Sequence, residues 1–144
     1  MPDSPKLQVV VDTNVLLEGL SMQGGAPGLI IDAWRADLFQ ACVSNALAYE
    51  YADVLSRKLS ARRWQVLRPV LGALLEKARF VVVYFSWRPI SPDKADDHII
   101  DCAMNAGAGV VTGNIRHFRK ASESLGLPVW TPVELVYRLA SEEN

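Results

Sequence analysis

Short apolar runs alternate with helix-period stretches along almost the whole chain. A chain of this design folds as an α/β protein, with a parallel sheet and helices on both faces. Leu7–Val11 is a β-branched run closed by Asp12. Leu38–Ser44 reads as a second strand, Phe80–Phe85 as a third and buried one, Gly109–Thr112 as a fourth, and Val129–Thr131 as the last. Helical spacing predicts helices over Pro27–Asp37 (Ile30, Ile31, Trp34), Asn45–Lys58 (Leu47, Tyr51, Val54, Leu55), Arg62–Arg79, Asp96–Ala106, His117–Ser124 and Pro132–Ala140. Pro69 should break or kink the stretch from Arg62, because proline removes a backbone donor and crowds the preceding turn. Ser86–Ala95, with Pro89 and Pro92, reads as a loop, and both chain ends read as frayed.

The 144 residues suit one domain, with an ordered core over about 7–140. Half of them are apolar, enough for a core without covalent staples. A net charge of -1 rules out a global basic field, so nucleic acid would have to be met by local patches. Cys42 and Cys102 lie in apolar segments and do not make a disulfide framework. Residues 1–6 lack a basic-then-apolar leader pattern, and the longest apolar run, Phe80–Phe85, is too short to span a bilayer. The expectation is a cytoplasmic protein with no membrane role.

Parallel α/β sheets bind ligands at the carboxyl ends of their strands. Asp12 stands at such an end, beside Thr13 and Asn14. Taken alone it reads as a helix cap. Glu50 lies on the helix after the second strand, next to apolar neighbours. Taken alone it could face solvent. Asp93, Asp96, Asp97 and Asp101 place four carboxylates within nine residues, and a divalent cation is the simplest way to offset their repulsion. Asp97 and Asp101 share a helix face, with Asp96 turned about 100° from Asp97, so only one of the adjacent pair points straight into a site. Thr112 and Asn114 follow the fourth strand. Together these positions converge on one sheet edge. An oxygen-only set suits Mg²⁺ or Mn²⁺. His98 and His117 lack zinc-motif spacing, as do the cysteines.

The residues that make this pattern resemble four motifs of the PIN-domain family. They are Val-Val-Val-Asp-Thr-Asn-Val-Leu at 9–16, Ser44 through Glu50 to Leu55, Asp96-Asp97-His98-Ile99-Ile100 with Ala103, and Val111-Thr112-Gly113-Asn114 with His117-Phe118. The resemblance is closest to the branch described as toxin components of bacterial toxin–antitoxin pairs. It implies a three-layer α/β/α sandwich around a central parallel sheet of four to five short strands. It also implies a Mg²⁺- or Mn²⁺-dependent ribonuclease acting on RNA, often a homodimer and often paired with a small antitoxin protein. By motif, Asp12, Glu50 and Asp96 become the catalytic, metal-binding acids, with Asp97 as the substitute for Asp96. Asn114 departs from the pattern, since many relatives carry a fourth aspartate there; its amide oxygen remains a candidate metal ligand. Asn14, Thr112, Arg116 and His117 are candidates for positioning substrate. Arg116, His117, Arg119 and Lys120 form a basic group just past the site, and Arg57, Lys58, Arg62, Arg63 and Arg68 form a second. The rival reading is a catalytically weak PIN-like module that binds RNA or a protein, favoured by Asn114. A receiver domain would want an aspartate after the third strand, where Ser86-Trp87-Arg88 stands, and an aspartate-nucleophile phosphatase would want an acid at Asn14.

Overall fold

The computed structural model describes residues 5–22, 24–86 and 94–142, and only the backbone of residues 94 and 95. The elements are β1 (Gln8–Val11), α1 (Thr13–Ser21), α2 (Gly25–Arg35), β2 (Gln40–Val43), α3 (Asn45–Lys58), α4 (Ala61–Lys77), β3 (Arg79–Phe80), α5 (Lys94–Ala106), β4 (Gly109–Val111), α6 (Ile115–Leu125), β5 (Val129–Trp130) and α7 (Pro132–Glu142). The strands form one sheet in the order β3-β2-β1-β4-β5, and every neighbouring pair is parallel. Helices flank the sheet, as the alternating sequence predicts.

The central strand is buried without alternation. Val9, Val10 and Val11 are all sealed, because β1 has a strand on each side and helices above and below. α5 packs across β1, β2 and β4 through Ile99, Ile100, Cys102 and Ala103, all buried. The Trp34 indole N–H donates to the Leu74 carbonyl at 3.0 Å, tying α2 to α4. Several helix starts have the side chains their caps require. Ser44 Oγ accepts from the Leu47 amide and Ser60 Oγ from the Arg63 amide. Thr131 and Glu134 exchange hydrogen bonds of 2.9 and 3.1 Å at the start of α7.

The structure departs from the sequence reading at several places. The run Phe80–Phe85 is not a buried strand. β3 ends at Phe80, at the edge of the sheet, and Phe80, Val82, Tyr84 and Phe85 are exposed. β2 has by then turned into the Ser44 cap of α3, so the later residues have no strand to pair with. Pro69 does not break α4, which is one helix from Ala61 to Lys77. The carbonyl whose partner the proline removes belongs to Gln65, on an exposed position where water can serve it. A helix over Thr13–Ser21 was not anticipated, because its start overlaps the acidic motif. α2 stops at Arg35, and Asp37 sits in the left-handed region at φ 59°. α6 begins two residues before His117. The proline-bearing stretch 87–93 and the first four residues lie outside the described residues.

Candidate active site

The carboxyl edge of the sheet gathers the acidic motifs through three side-chain bridges. Asp12 follows β1 and is 4% exposed. Its backbone amide continues the ladder by donating to the Val111 carbonyl at 3.0 Å. The hydroxyl of Thr112, at the end of β4, donates to Asp12 Oδ2 at 2.6 Å. That same hydroxyl accepts from the Asn114 amide at 2.9 Å, which fixes the turn into α6. The short bond from Thr112 is of the charge-assisted kind.

Glu50 reaches the site from α3. Thr13 Oγ1 donates to Glu50 Oε2 at 2.7 Å, so the residue after Asp12 anchors the second acid. Beside it, the Tyr51 hydroxyl donates to the Val11 carbonyl at 2.5 Å from a fully buried position. α3 thus grips the last turnless peptide of β1 and the first residue of α1 at once.

Asp96 opens the face of α5 that meets α6. His117 Nδ1 lies 3.0 Å from Asp96 Oδ2. A carboxylate only accepts, so Nδ1 carries the hydrogen in this pair. Asp96, Asp97 and Asp101 are all buried, which goes further than the sequence suggested: neither member of the 96–97 pair is turned out to water. Asn14 and Asn114 are exposed at the rim, and Arg116 is exposed on the first turn of α6. Arg116, His117 and Arg119 line an open hollow of about 590 Å³ with Gly113, Asn114, Ile115 and Thr131. The second basic group lies elsewhere, around α4, where Arg62 and Arg63 line a separate hollow with Leu20 and Ser21.

Burial pushes the Asp12 carboxyl above its ordinary 3.8; the Thr112 hydrogen bond, the facing amides of Asn14 and Thr13, and His117 pull it back only in part. Asp12 does occupy the N-cap position of α1, where its carbonyl accepts from the Leu16 amide at 3.1 Å, but its side chain closes no capping bond and is turned to Thr112 instead. Burial also pushes the Cys102 thiol up to about 12 and raises Cys42, which disfavours the thiolate form of both.

The donor chemistry suits a hard divalent cation: carboxylates, hydroxyls and amides, with one buried aspartate incompletely compensated by its neighbours. Among the described residues, however, no three histidine, cysteine, aspartate or glutamate side chains gather into a metal-holding group. Each acid is instead turned toward its own partner, Asp12 to Thr112, Glu50 to Thr13 and Asp96 to His117. Thr13 and Tyr51 were missed by sequence reasoning. A threonine after a strand-end aspartate reads as a cap, and a tyrosine on an apolar helix face reads as core.

A parallel sheet in this strand order, with acids at its carboxyl edge, defines a class of α/β site protein. The model of the PIN domain matches residues 8–116, and the chain belongs to the PIN-domain family. The fold is similar to that in the structure of VapBC2 from Rickettsia felis bound to a DNA fragment from their promoter. There the TM-score is 0.63 at 13% identity, over 87% of this chain and 98% of that one. It is also similar to FitAcB from Neisseria gonorrhoeae, at a TM-score of 0.60 and 18% identity over 86% of this chain and 97% of that one. A structure of FitAB bound to an IR36 DNA fragment gives 0.60 and 17%, over 86% and 94%. At these identities the likeness establishes the fold alone. No match was found among curated proteins.

Proposed function

We propose that the chain is a Mg²⁺- or Mn²⁺-dependent ribonuclease, the toxin member of a toxin–antitoxin pair. The observation that carries the reading is the joining of Asp12 to Thr112 and of Glu50 to Thr13 at one sheet edge, in a chain of the PIN-domain family. Asp12, Glu50 and Asp96 would hold the cation, with Asp97 and Asn114 as further ligands. Bound there, the cation would lower the pKa of a water and neutralise charge on the phosphodiester. Thr112 keeps Asp12 oriented, Thr13 keeps Glu50 oriented, and His117 holds Asp96. Glu50, the least buried of the three acids, would position the attacking water or take its proton. The hollow lined by Arg116 and Arg119 receives the RNA backbone, supplying phosphate contacts that a net charge of -1 cannot supply globally. Asn14 and His117 would flank the scissile phosphate; Thr112, expected from the sequence to position substrate, is fully buried and acts only by holding Asp12.

The resemblance to the toxin branch and the fold shared with VapBC2 and FitAB support an antitoxin as protein partner, and a homodimer belongs to the same reading. A cytoplasmic site of action fits as well; no helix among the described residues is long and apolar enough to cross a membrane. The separate bonding of each acid, and an amide at Asn114, favour the second reading, a catalytically weak module that binds RNA or protein. Labelled RNA separates the two. Cleavage that appears with Mn²⁺ or Mg²⁺ and stops in EDTA supports the nuclease; binding without cleavage by folded protein in either ion supports the module.

A further inference from the structure

The cations of α3 and α4 are concentrated where the two helices meet. Arg57, Lys58, Arg62, Arg63 and Arg68 follow closely on one another, and no carboxylate stands between Asp53 and Glu76. Arg57 pairs with Asp53 at 3.1 Å. Among the described residues, Lys58, Arg62 and Arg63 meet no carboxylate. Arg57 and Lys58 suit the last turn of α3, where the helix dipole favours cations. Arg62 and Arg63 stand in the first turn of α4, the pole that favours anions, with no acid beside them. Like charges gathered at the wrong pole of a helix cost stability, and a fold keeps such a cost where it serves binding. The surface beside them is built by two elements. The Arg63 guanidinium donates to the Ser21 carbonyl at 2.7 Å, which joins the start of α4 to the end of α1. Arg62 and Arg63 there line an open hollow of about 500 Å³ with Leu20, Ser21, Val66 and Leu67.

We propose that this hollow is a second contact site for the RNA backbone, set apart from the acids and reached by the same strand. The inference rests on the RNA reading above and adds a subsite to it. Distance supports it. Thr13 and Glu50, bonded to each other at the acid edge, each begin a helical path that leads to the basic group. Thr13 to Ser21 along α1 and Glu50 to Lys58 along α3 are each about 12 Å, at 1.5 Å per residue. The two helices pack together and follow neighbouring parallel strands, so both paths run the same way. A strand cut in its interior continues past the acids, and its next phosphates come within reach of Arg62, Arg63 and Lys58. Charge supports RNA as well. Phosphates in a row neutralise neighbouring cations and meet the positive pole of α4 at once, which a net charge of -1 leaves no wider field to do. The lining holds arginines and aliphatic side chains but no aromatic platform for a base, so the subsite grips backbone without reading sequence.

Fluorescence anisotropy of a labelled single-stranded RNA tests this, with EDTA present to prevent cleavage. A strand of roughly 12 nucleotides lies within the span of single-strand sites. Arg62→Gln and Arg63→Gln should each weaken binding by roughly 5-fold or more and lower the slope of log affinity against log salt by about 0.7, whatever the RNA sequence. Arg62 makes no hydrogen bond that the fold needs, so it stays informative if loss of the Arg63–Ser21 bond loosens the helix junction. Arg35→Gln removes an equal charge from the end of α2, which packs at Leu74, about 18 Å along α4 from Arg62, and should bind as the parent does. A parent that does not bind the strand overturns the proposal. So do parental affinity and salt slope in Arg62→Gln, or an equal loss in Arg35→Gln. Poly-glutamate that binds the parent as tightly as RNA and is weakened by the same substitutions overturns it in favour of an acidic protein segment. Binding is read without cleavage, so a protein that needs Arg62 to hold RNA yet cuts none with Mn²⁺ sinks the nuclease reading and leaves the subsite standing.

Discussion

Tyr51 braces the site from the core, because its hydroxyl ends on the carbonyl that immediately precedes Asp12. Replacing it with phenylalanine keeps the ring but leaves a buried carbonyl without its donor. Tyr51→Phe should lower the unfolding free energy by about 1–3 kcal/mol in urea titrations; an unchanged midpoint would show that the bond contributes nothing. Asp12 carries a cost of the opposite kind. Its folded pKa is raised, so the folded protein binds this proton more tightly than the unfolded chain does. Ionised Asp12 therefore costs stability above the raised pKa, and the fold gains stability as pH falls through that value toward 3.8. In metal-free buffer Asp12→Asn should melt above the parent at pH 7, and the difference should shrink as pH falls toward 3.8. A variant melting below the parent at pH 7 would mean the Thr112 bond outweighs desolvation. The places of the acids were legible in the sequence: Asp12 directly after β1, Glu50 on the helix after β2 and Asp96 at the start of α5. Their partners were not, since Thr13 and Tyr51 are ordinary cap and core residues until the fold sets α3 against the end of β1.

Elements were readable wherever their own residues decide the structure. The β-branched run before Asp12, the helix spacing of Asn45–Lys58 and the proline at the start of Pro132–Glu142 all carry their own signals. The failure at Phe80–Phe85 has a tertiary cause: an apolar run is buried only if a neighbour lies alongside, and β2 pairs only with Arg79 and Phe80, the first residue of the run. Pro69 shows the converse, a local breaker overruled by a helix that packs through Leu71 and Leu74. The junction of α1 with α2 was equally hidden. A Cβ on Gly19 would stand 2.5 Å from Ile31 Cγ1 and 2.6 Å from the Pro27 carbonyl oxygen. The second of these is backbone and cannot swing aside. Gly19→Ala should therefore push the two helices apart and cost about 1–3 kcal/mol, read from the urea midpoint. Parental stability in that variant would show that the helices approach less closely than described.

At the scale of the whole molecule, the parallel order β3-β2-β1-β4-β5 sends β1 and β4 side by side to one edge and lets α3 and α5 bring Glu50 and Asp96 to its neighbourhood. That topology brings acids distant in the chain to one edge of the sheet, each bonded to its own partner. The central claim is that this edge cleaves RNA with a divalent cation, and it is tested most directly by rate. Cleavage of one labelled RNA should be followed in the same Mn²⁺ buffer for the parent, Asp12→Asn and Asp96→Asn, each shown to be folded and each purified alike. The account predicts cleavage by the parent and a loss of about 100-fold or more in both variants, the scale expected when a group acting in the reaction is removed. Equal rates in all three preparations would contradict it.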